Sequence, residues 1–209
     1  MRSEIIKTGS WIMEKNLTWG TSGNISARDN DRVYITASGT VMGDLKEEDI
    51  IVCDLSGNIL EGSKRPSKET QMHMEVYKNR SDVNGIIHTS PFYGTMCACS
   101  EIEVKNNLFI ESMYYNENIV KIPYFHAGST DLAEAVSKAC TDTQVILMGN
   151  HGVLVYDQNL AESRTALEIT ENVCKMNVLA NLGYIRLKEV EDNTVKEFLT
   201  GNYYKKRRK

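Results

Sequence analysis

The chain has 209 residues, 41% hydrophobic and 25% charged, the balance of an ordinary globular protein long enough for one domain with a substantial core. Its net charge is −4, and the terminal KKRRK carries +5, leaving −9 on the rest; an acidic body argues against general nucleic-acid binding. No apolar run approaches the roughly 20 residues of a membrane span.

The N-terminal MRSEIIKTGSWIMEKN carries charges and no small-residue cleavage site, so it does not read as a secretory signal, and a cytoplasmic protein is expected. Its apolar positions Ile5, Ile6, Ile12 and Leu17 predict an opening helix over 3–17. TWGTSGNIS follows and reads as a loop. RVYITASG is a strand running into a turn, and DIIVCDLSGNIL a hairpin turning through Ser56, Gly57 and Asn58. PSKETQMHMEVYKN starts a helix, with Ser67 as N-cap and His73, Met74 and Tyr77 on one side. VNGIIHTS is a strand, PFYGTMCACS a helix after its proline, DLAEAVSKAC a helix, and QVILMGN and HGVLVY two strands. Residues 160–182 form the longest helix, with Leu160, Leu167, Val173, Met176 and Leu179 facing the core. The five cysteines are an odd number with no secretory signal, which argues against a disulfide framework; Cys97 and Cys99 read as packed thiols. No repeat, linker or low-complexity segment interrupts residues 1–209. Helices and short hairpins alternating in this way predict a single mixed α/β domain, helices covering both faces of a largely antiparallel sheet. The terminal run 205–209 reads as a solvated basic tail.

Four histidines could carry chemistry. His88 closes the apolar strand GIIHTS and His151 stands between glycines in GNHG, so both lie at strand ends where backbone or ligand can approach. Two such imidazoles with a carboxylate could hold a divalent ion as a Lewis acid. Glu69 sits in a first helical turn, where it either compensates the dipole or serves as acid/base or metal ligand; His73 at i+4 shares its side and could orient it. TSGN (Thr21–Asn24), TASG (Thr36–Gly39) and RPSK (Arg65–Lys68) expose N–H groups and hydroxyls suited to an anion, the last at a helix start.

In this order TWGTSGNIS, ITASG, PSKE, IIHTS and NHGVLV resemble the class II aldolase/adducin family, over residues 5–182. The resemblance implies one α/β/α three-layer domain around a central, mostly antiparallel sheet, in a ring-like homotetramer. It implies a divalent metal, typically Zn2+, with Mn2+ or Co2+ as alternatives, at a subunit boundary. The substrate phosphate would fall to Gly23, Asn24, Ser38, Gly39 and Ser67, with Lys68 adding charge. Glu69 would be acid/base and a metal ligand beside His88 and His151. The implied activity is cleavage of a ketose 1-phosphate to dihydroxyacetone phosphate and an aldehyde through a metal-stabilised enediolate. Alternatives are an epimerase, dehydratase or decarboxylase on a related sugar phosphate and, in another class, a non-catalytic adducin-like module. A tyrosine of a neighbouring subunit protonates the aldehyde side in such enzymes; Tyr114, Tyr115, Tyr203 and Tyr204 are the candidates. One departure stands out. The family commonly writes His-x-His at the strand end, and this chain has Ser90 as the second member; a hydroxyl is a poor zinc ligand, and His126 in IPYFHAGS is a candidate replacement.

Overall fold

Along each central strand, neighbouring side chains enter different cores. In β7 (Val145–Met148) Val145 and Leu147 pack with one apolar cluster, Ile146 and Met148 with the other. In β8 (Gly152–Asp157) Val153 and Val155 oppose Leu154 and Tyr156 in the same way. This period of two, apolar on both faces, requires cover on both sides. The computed structural model, which describes residues 1–201 and 203–205, supplies it as a three-layer α/β/α sandwich. The expected basic tail lies outside the described residues from 206 onward.

Among the described residues the sheet has eight strands. With β1 (Asn24–Asp29), β2 (Arg32–Thr36), β3 (Ile50–Cys53), β4 (Ile59–Glu61), β5 (Gly85–Thr89) and β6 (Ile119–Ile122), the order is β4-β3-β2-β1-β5-β8-β7-β6. All pairs are antiparallel except β6–β7. One face carries α1 (Arg2–Glu14), α3 (Phe92–Ala98), α4 (Ile110–Tyr115) and α6 (Leu160–Asn181). The other carries α2 (Thr70–Asn79) and α5 (Thr130–Ala139). A last helix, α7 (Asp192–Thr200), has no buried residue. Two helices begin on side-chain caps: Ser129 Oγ accepts from Leu132 N, and Asn159 Oδ1 from Glu162 N, contacts that contribute about 1 kcal/mol each. Among the described residues no helix is long and apolar enough to cross a membrane.

Four sequence expectations need correction. Ser67 is not the N-cap of α2: the helix opens at Thr70 with Glu69 at its cap, and Ser67 belongs to the turn before it, accepting from Glu69 N and Thr70 Oγ1. NIS is not loop but the start of β1, a central strand, with Gly23 just outside it. Its apolar Ile25 and Ala27 face one core, while polar Asn24 and Ser26 face α2 and bond to its side chains, so half the strand imitates a turn. On α6, Met176 is exposed and Leu179 half-buried. The buried stripe runs through Ser163, Thr170 and Asn177, whose polar atoms bond to Gly85 O, Asn116 and Lys105; an apolar-only reading drifts off it. Cys97 is buried as expected but Cys99 is exposed.

Candidate metal centre

Antiparallel pairing gathers the sequence-predicted residues at one end of the sheet. The first residue of β1, Asn24, pairs with His88 near the end of β5. Gly152, opening β8, pairs with Met148 at the end of β7, and His151 immediately precedes it after Asn150, whose φ is 51°. The segment leading into α2 arrives at the same end: Ser67 N donates to Thr36 O, and Ala37 bridges Pro66. Two glycines permit the convergence. A Cβ on Gly23, whose φ is 91°, would lie 2.5 Å from His88 O; one on Gly152 would lie 2.6 Å from Thr89 O and 3.2 Å from His88 Cε1.

At this end Glu69 Oε1 lies 3.1 Å from His151 Nε2, and Glu69 Oε2 lies 3.4 Å from His88 Nε2. Both Glu69 and His88 are buried. The two rings meet edge to face at 4.9 Å between centroids. One ligand atom from each of the three side chains falls within 4.8 Å of the others, the single such cluster among the described residues. Three details fit a cation. Two imidazole nitrogens with one carboxylate oxygen form a donor set suited to zinc and its neighbours in the first row. His88 Nδ1 lies 3.0 Å from Val153 O, so that nitrogen donates and Nε2 presents its lone pair toward Glu69, the orientation a metal-binding imidazole needs. Glu69 Oε1 is buried, and its near neighbour His151 Nε2 at 3.1 Å is not aligned for a hydrogen bond, which leaves a charged oxygen that a cation would satisfy.

Electrostatics agree with these roles. Burial works against charge on Glu69, but the imidazoles of His88 and His151 and the Asn24 amide outweigh it and hold the carboxyl well below its usual range. Burial pushes His88 down, against the pull of Glu69, which favours the uncharged imidazole that could accept a cation. His73, also buried, is pushed down to about 3, with Glu69 opposing.

Ser90 is not part of the cluster. It is buried and accepts a hydrogen bond from Ser22 Oγ at 3.2 Å; Thr18 Oγ1 in turn donates to Ser22 O at 2.9 Å. His126 is exposed, 2.9 Å from Tyr124 OH through Nδ1, and lies outside the cluster. Its loop nonetheless packs near the site, for a Cβ on Gly128 would meet Lys68 O at 2.8 Å.

The three turns expected to receive phosphate do come together. Gly23 abuts His88, Ser38 N donates to Arg65 O, and Ser67 Oγ accepts from Glu69 N at 3.3 Å, with Lys68 beside it. Gly39, with φ of 80°, has nothing within 4 Å of its Cβ position, so this turn stays open. Asn24 differs from its expectation in detail. Its amide is engaged at both ends, donating to Glu69 Oε2 at 2.8 Å and meeting His73 Nε2 at 2.6 Å. The i+4 spacing predicts His73 beside Glu69; in the structure the Asn24 amide stands between them. Ser26, which the sequence reading left unassigned, lies 2.7 Å from His73 Nδ1; its alternation with Asn24 on one strand face was the available signal.

The tyrosines stand elsewhere. Tyr114 and Tyr115 pack into the core on the α6 side of the sheet, opposite α2. Tyr115 OH donates to Glu162 Oε2 at 2.8 Å and meets Lys205 Nζ; burial pushes its pKa up to about 12. Tyr204 stacks edge to face on Tyr114, and Tyr203 OH donates to Glu197.

Comparison with known proteins places these features in a wider group. The family model described as class II aldolase and adducin N-terminal domain matches residues 3–178. The L-fuculose phosphate aldolase of Methanococcus maripaludis (strain C5) is 36% identical over 183 residues, covering 87% of this chain and 98% of that protein. The 3-oxo-tetronate 4-phosphate decarboxylase of Haemophilus influenzae is 32% identical over 177 residues, covering 82% of this chain and 84% of its own. A solved structure of an L-fuculose 1-phosphate aldolase superposes with a TM-score of 0.87 at 32% identity, covering 94% of this chain and 93% of that one.

Proposed function

Because the chain belongs to the class II aldolase and adducin family, we propose that it is a lyase that cleaves a ketose 1-phosphate to dihydroxyacetone phosphate and an aldehyde. The observation that carries this reading is Glu69: a buried, ionised carboxylate with one oxygen out of alignment for any hydrogen bond, set 3.1 and 3.4 Å from two imidazole nitrogens.

His88, His151 and Glu69 would hold a divalent ion, zinc first and manganese or cobalt as substitutes. When bound, such an ion supplies electrophilic stabilisation of the negative charge that develops on the substrate oxygens, several kcal/mol in comparable sites. This chain's own residues do the rest. Ser38, Ser67 and Lys68 bind the phosphate, with Gly23 and Gly39 letting the backbone approach it, and Asn24 forms the wall behind. Glu69 moves the proton at the carbon next to the carbonyl. Ser90, held by Ser22, lines the pocket with a hydroxyl where the family commonly has an imidazole, and its short side chain leaves that side of the site to water or substrate oxygen. A tyrosine serving the site of a neighbouring copy would come from Tyr203 or Tyr204, which are exposed, since Tyr114 and Tyr115 are buried in their own core; a tetramer would provide that arrangement.

The similarity to the Haemophilus decarboxylase favours one second reading, decarboxylation of a 3-oxo sugar-acid phosphate, which needs the same charge stabilisation. One experiment separates them: zinc-loaded protein is incubated with dihydroxyacetone phosphate and a panel of aldehydes, and in parallel with a 3-oxo acid phosphate. The aldolase reading expects condensation with at least one aldehyde. Carbon dioxide release without any condensation would replace it by the second reading.

A further inference from the structure

Behind Glu69 runs a line of buried polar groups, and beyond Asn24 the proposed reaction leaves them without a role. Asn24 Nδ2 donates to Glu69 Oε2 at 2.8 Å. His73 Nε2 lies 2.6 Å from Asn24 Oδ1. Ser26 Oγ lies 2.7 Å from His73 Nδ1, and Tyr77 OH 2.8 Å from Ser26 Oγ. None of the five residues is more than 7% exposed. They come from only two elements, β1 and α2 with its N-cap Glu69, which the line ties together.

The direction of every link follows from one end. An ionised carboxylate only accepts, so Asn24 must turn its NH2 toward Glu69. Its carbonyl therefore faces His73, and His73 Nε2 must carry the hydrogen. A neutral imidazole then accepts at Nδ1, so Ser26 donates to it, and Tyr77 donates to Ser26. A single tautomer and a single amide orientation satisfy all five groups. Transfer of a proton along the line would force the Asn24 amide through its imidic acid form, so the line does not conduct protons.

We infer that His73, Ser26 and Tyr77 are positioning residues which act through Asn24 to pin Glu69 Oε2, leaving Oε1 as the oxygen that faces the cation and exchanges the proton. The inference rests on the lyase reading for the identity of the proton, but the hydrogen-bond direction and its effect on the ligand set stand apart from it. The alternative network, with the amide flipped and His73 protonated at Nδ1, satisfies His73 equally well. It sets Asn24 Oδ1 against Glu69 Oε2, two acceptors 2.8 Å apart, and loses the anchor. Outer partners of this kind typically govern a factor of roughly 10–100 in metal affinity or activity.

The test begins with the wild-type protein. Long-range proton–nitrogen correlation spectra of histidine-labelled protein should show His73 neutral, with its hydrogen on Nε2. Titration with cobalt(II) alone, followed by its visible absorption, should then show His73→Leu about 10–100-fold weaker than wild type. His73→Gln, which keeps an amide N–H near the Nε2 position, should recover most of that loss. With any aldehyde that supports turnover, kcat should fall in His73→Leu by a similar factor while KM for dihydroxyacetone phosphate stays within about twofold, because the phosphate turns are untouched. An Nδ1–H tautomer in wild type would overturn the inference. So would equal cobalt affinity in wild type and His73→Leu, or equal losses in His73→Leu and His73→Gln. If no substrate turns over, the lyase reading fails while the tautomer and cobalt titrations still decide this one; if His73→Leu does not fold, the wild-type tautomer decides it.

Discussion

Replacing Gly152 by alanine adds one methyl at the narrowest point of the site. The residue does not occupy the left-handed region, so an alanine there carries no backbone penalty and the whole effect is steric. Its Cβ would stand 2.6 Å from Thr89 O, 3.2 Å from His88 Cε1 and 3.3 Å from Ser90 Oγ. A carbon–oxygen contact settles at about 3.3 Å or more, so β8 must withdraw from β5 by about 0.7 Å at this point. The obstacle is backbone, in a ladder where Thr89 pairs with Val153, and it cannot rotate away. Overpacking of this sort costs about 1–3 kcal/mol, and each kcal/mol lowers Tm by about 2–4 °C in a chain of this size, giving a fall of roughly 2–12 °C. The same shift carries His151, one residue away, relative to His88. Misplacements near 1 Å in a preorganised site cost on the order of 100-fold, so cobalt(II) affinity should fall at least about 10-fold. Gly57→Ala is the control: its φ is 87° with nothing within 4 Å of the added carbon, so it should cost stability through backbone strain alone, about 1–2 kcal/mol, and leave cobalt affinity unchanged. Thermal unfolding and cobalt titration of both variants provide the readout. If Gly152→Ala binds cobalt as wild type does, the close approach of β8 to His88 is not what shapes the site.

Ser38→Ala and Ser67→Ala should each weaken competition by inorganic phosphate by about 1.5–3 kcal/mol, the cost of one charge-assisted hydrogen bond; unchanged competition in both removes the phosphate assignment. The Lys64 ammonium, 2.7 Å away, holds the Asp49 carboxyl below its ordinary 3.8, against burial and with help from Lys46 N–H. The folded value lies under the unfolded one, so this stabilisation is present above pH 3.8 and fades as pH falls below it. Asp49→Asn should therefore lower Tm at neutral pH, with the gap from wild type narrowing in acid; a gap independent of pH contradicts the pairing. Light scattering at micromolar concentration should give a tetramer, and a stable monomer would leave Tyr203 and Tyr204, the exposed tyrosines, with no neighbouring site to serve.

Much of the site was legible because it lies at strand ends and in glycine turns, where residue type is tied to backbone shape. His88 and His151 were found from the apolar runs beside them, and Glu69 from its place at a helix start. The antiparallel sheet was legible from hairpins and paired apolar runs. What escaped was polar and buried. Asn24 and Ser26 made a central strand resemble a loop, because the face they occupy holds Glu69 and His73 instead of a hydrophobic layer. Ser163, Thr170 and Asn177 hid the true buried stripe of α6 in the same way. Short elements such as β6, α4 and α7 carry too few periodic positions to register. The direct partnership of Asn24 with Glu69 is a contact across 45 positions, and spacing along a chain does not report it.

The most direct test is metal content. Wild-type protein loaded with zinc and dialysed against a weak chelator should retain about one ion per chain, the capacity of a single His2Glu cluster. His88→Ala and His151→Ala should retain none, while His126→Ala should match wild type because His126 lies outside the cluster. Wild-type protein that holds neither zinc, manganese nor cobalt under these conditions would contradict the account at its centre, leaving Glu69 and its two imidazoles as a buried ion-pair network with no catalytic role.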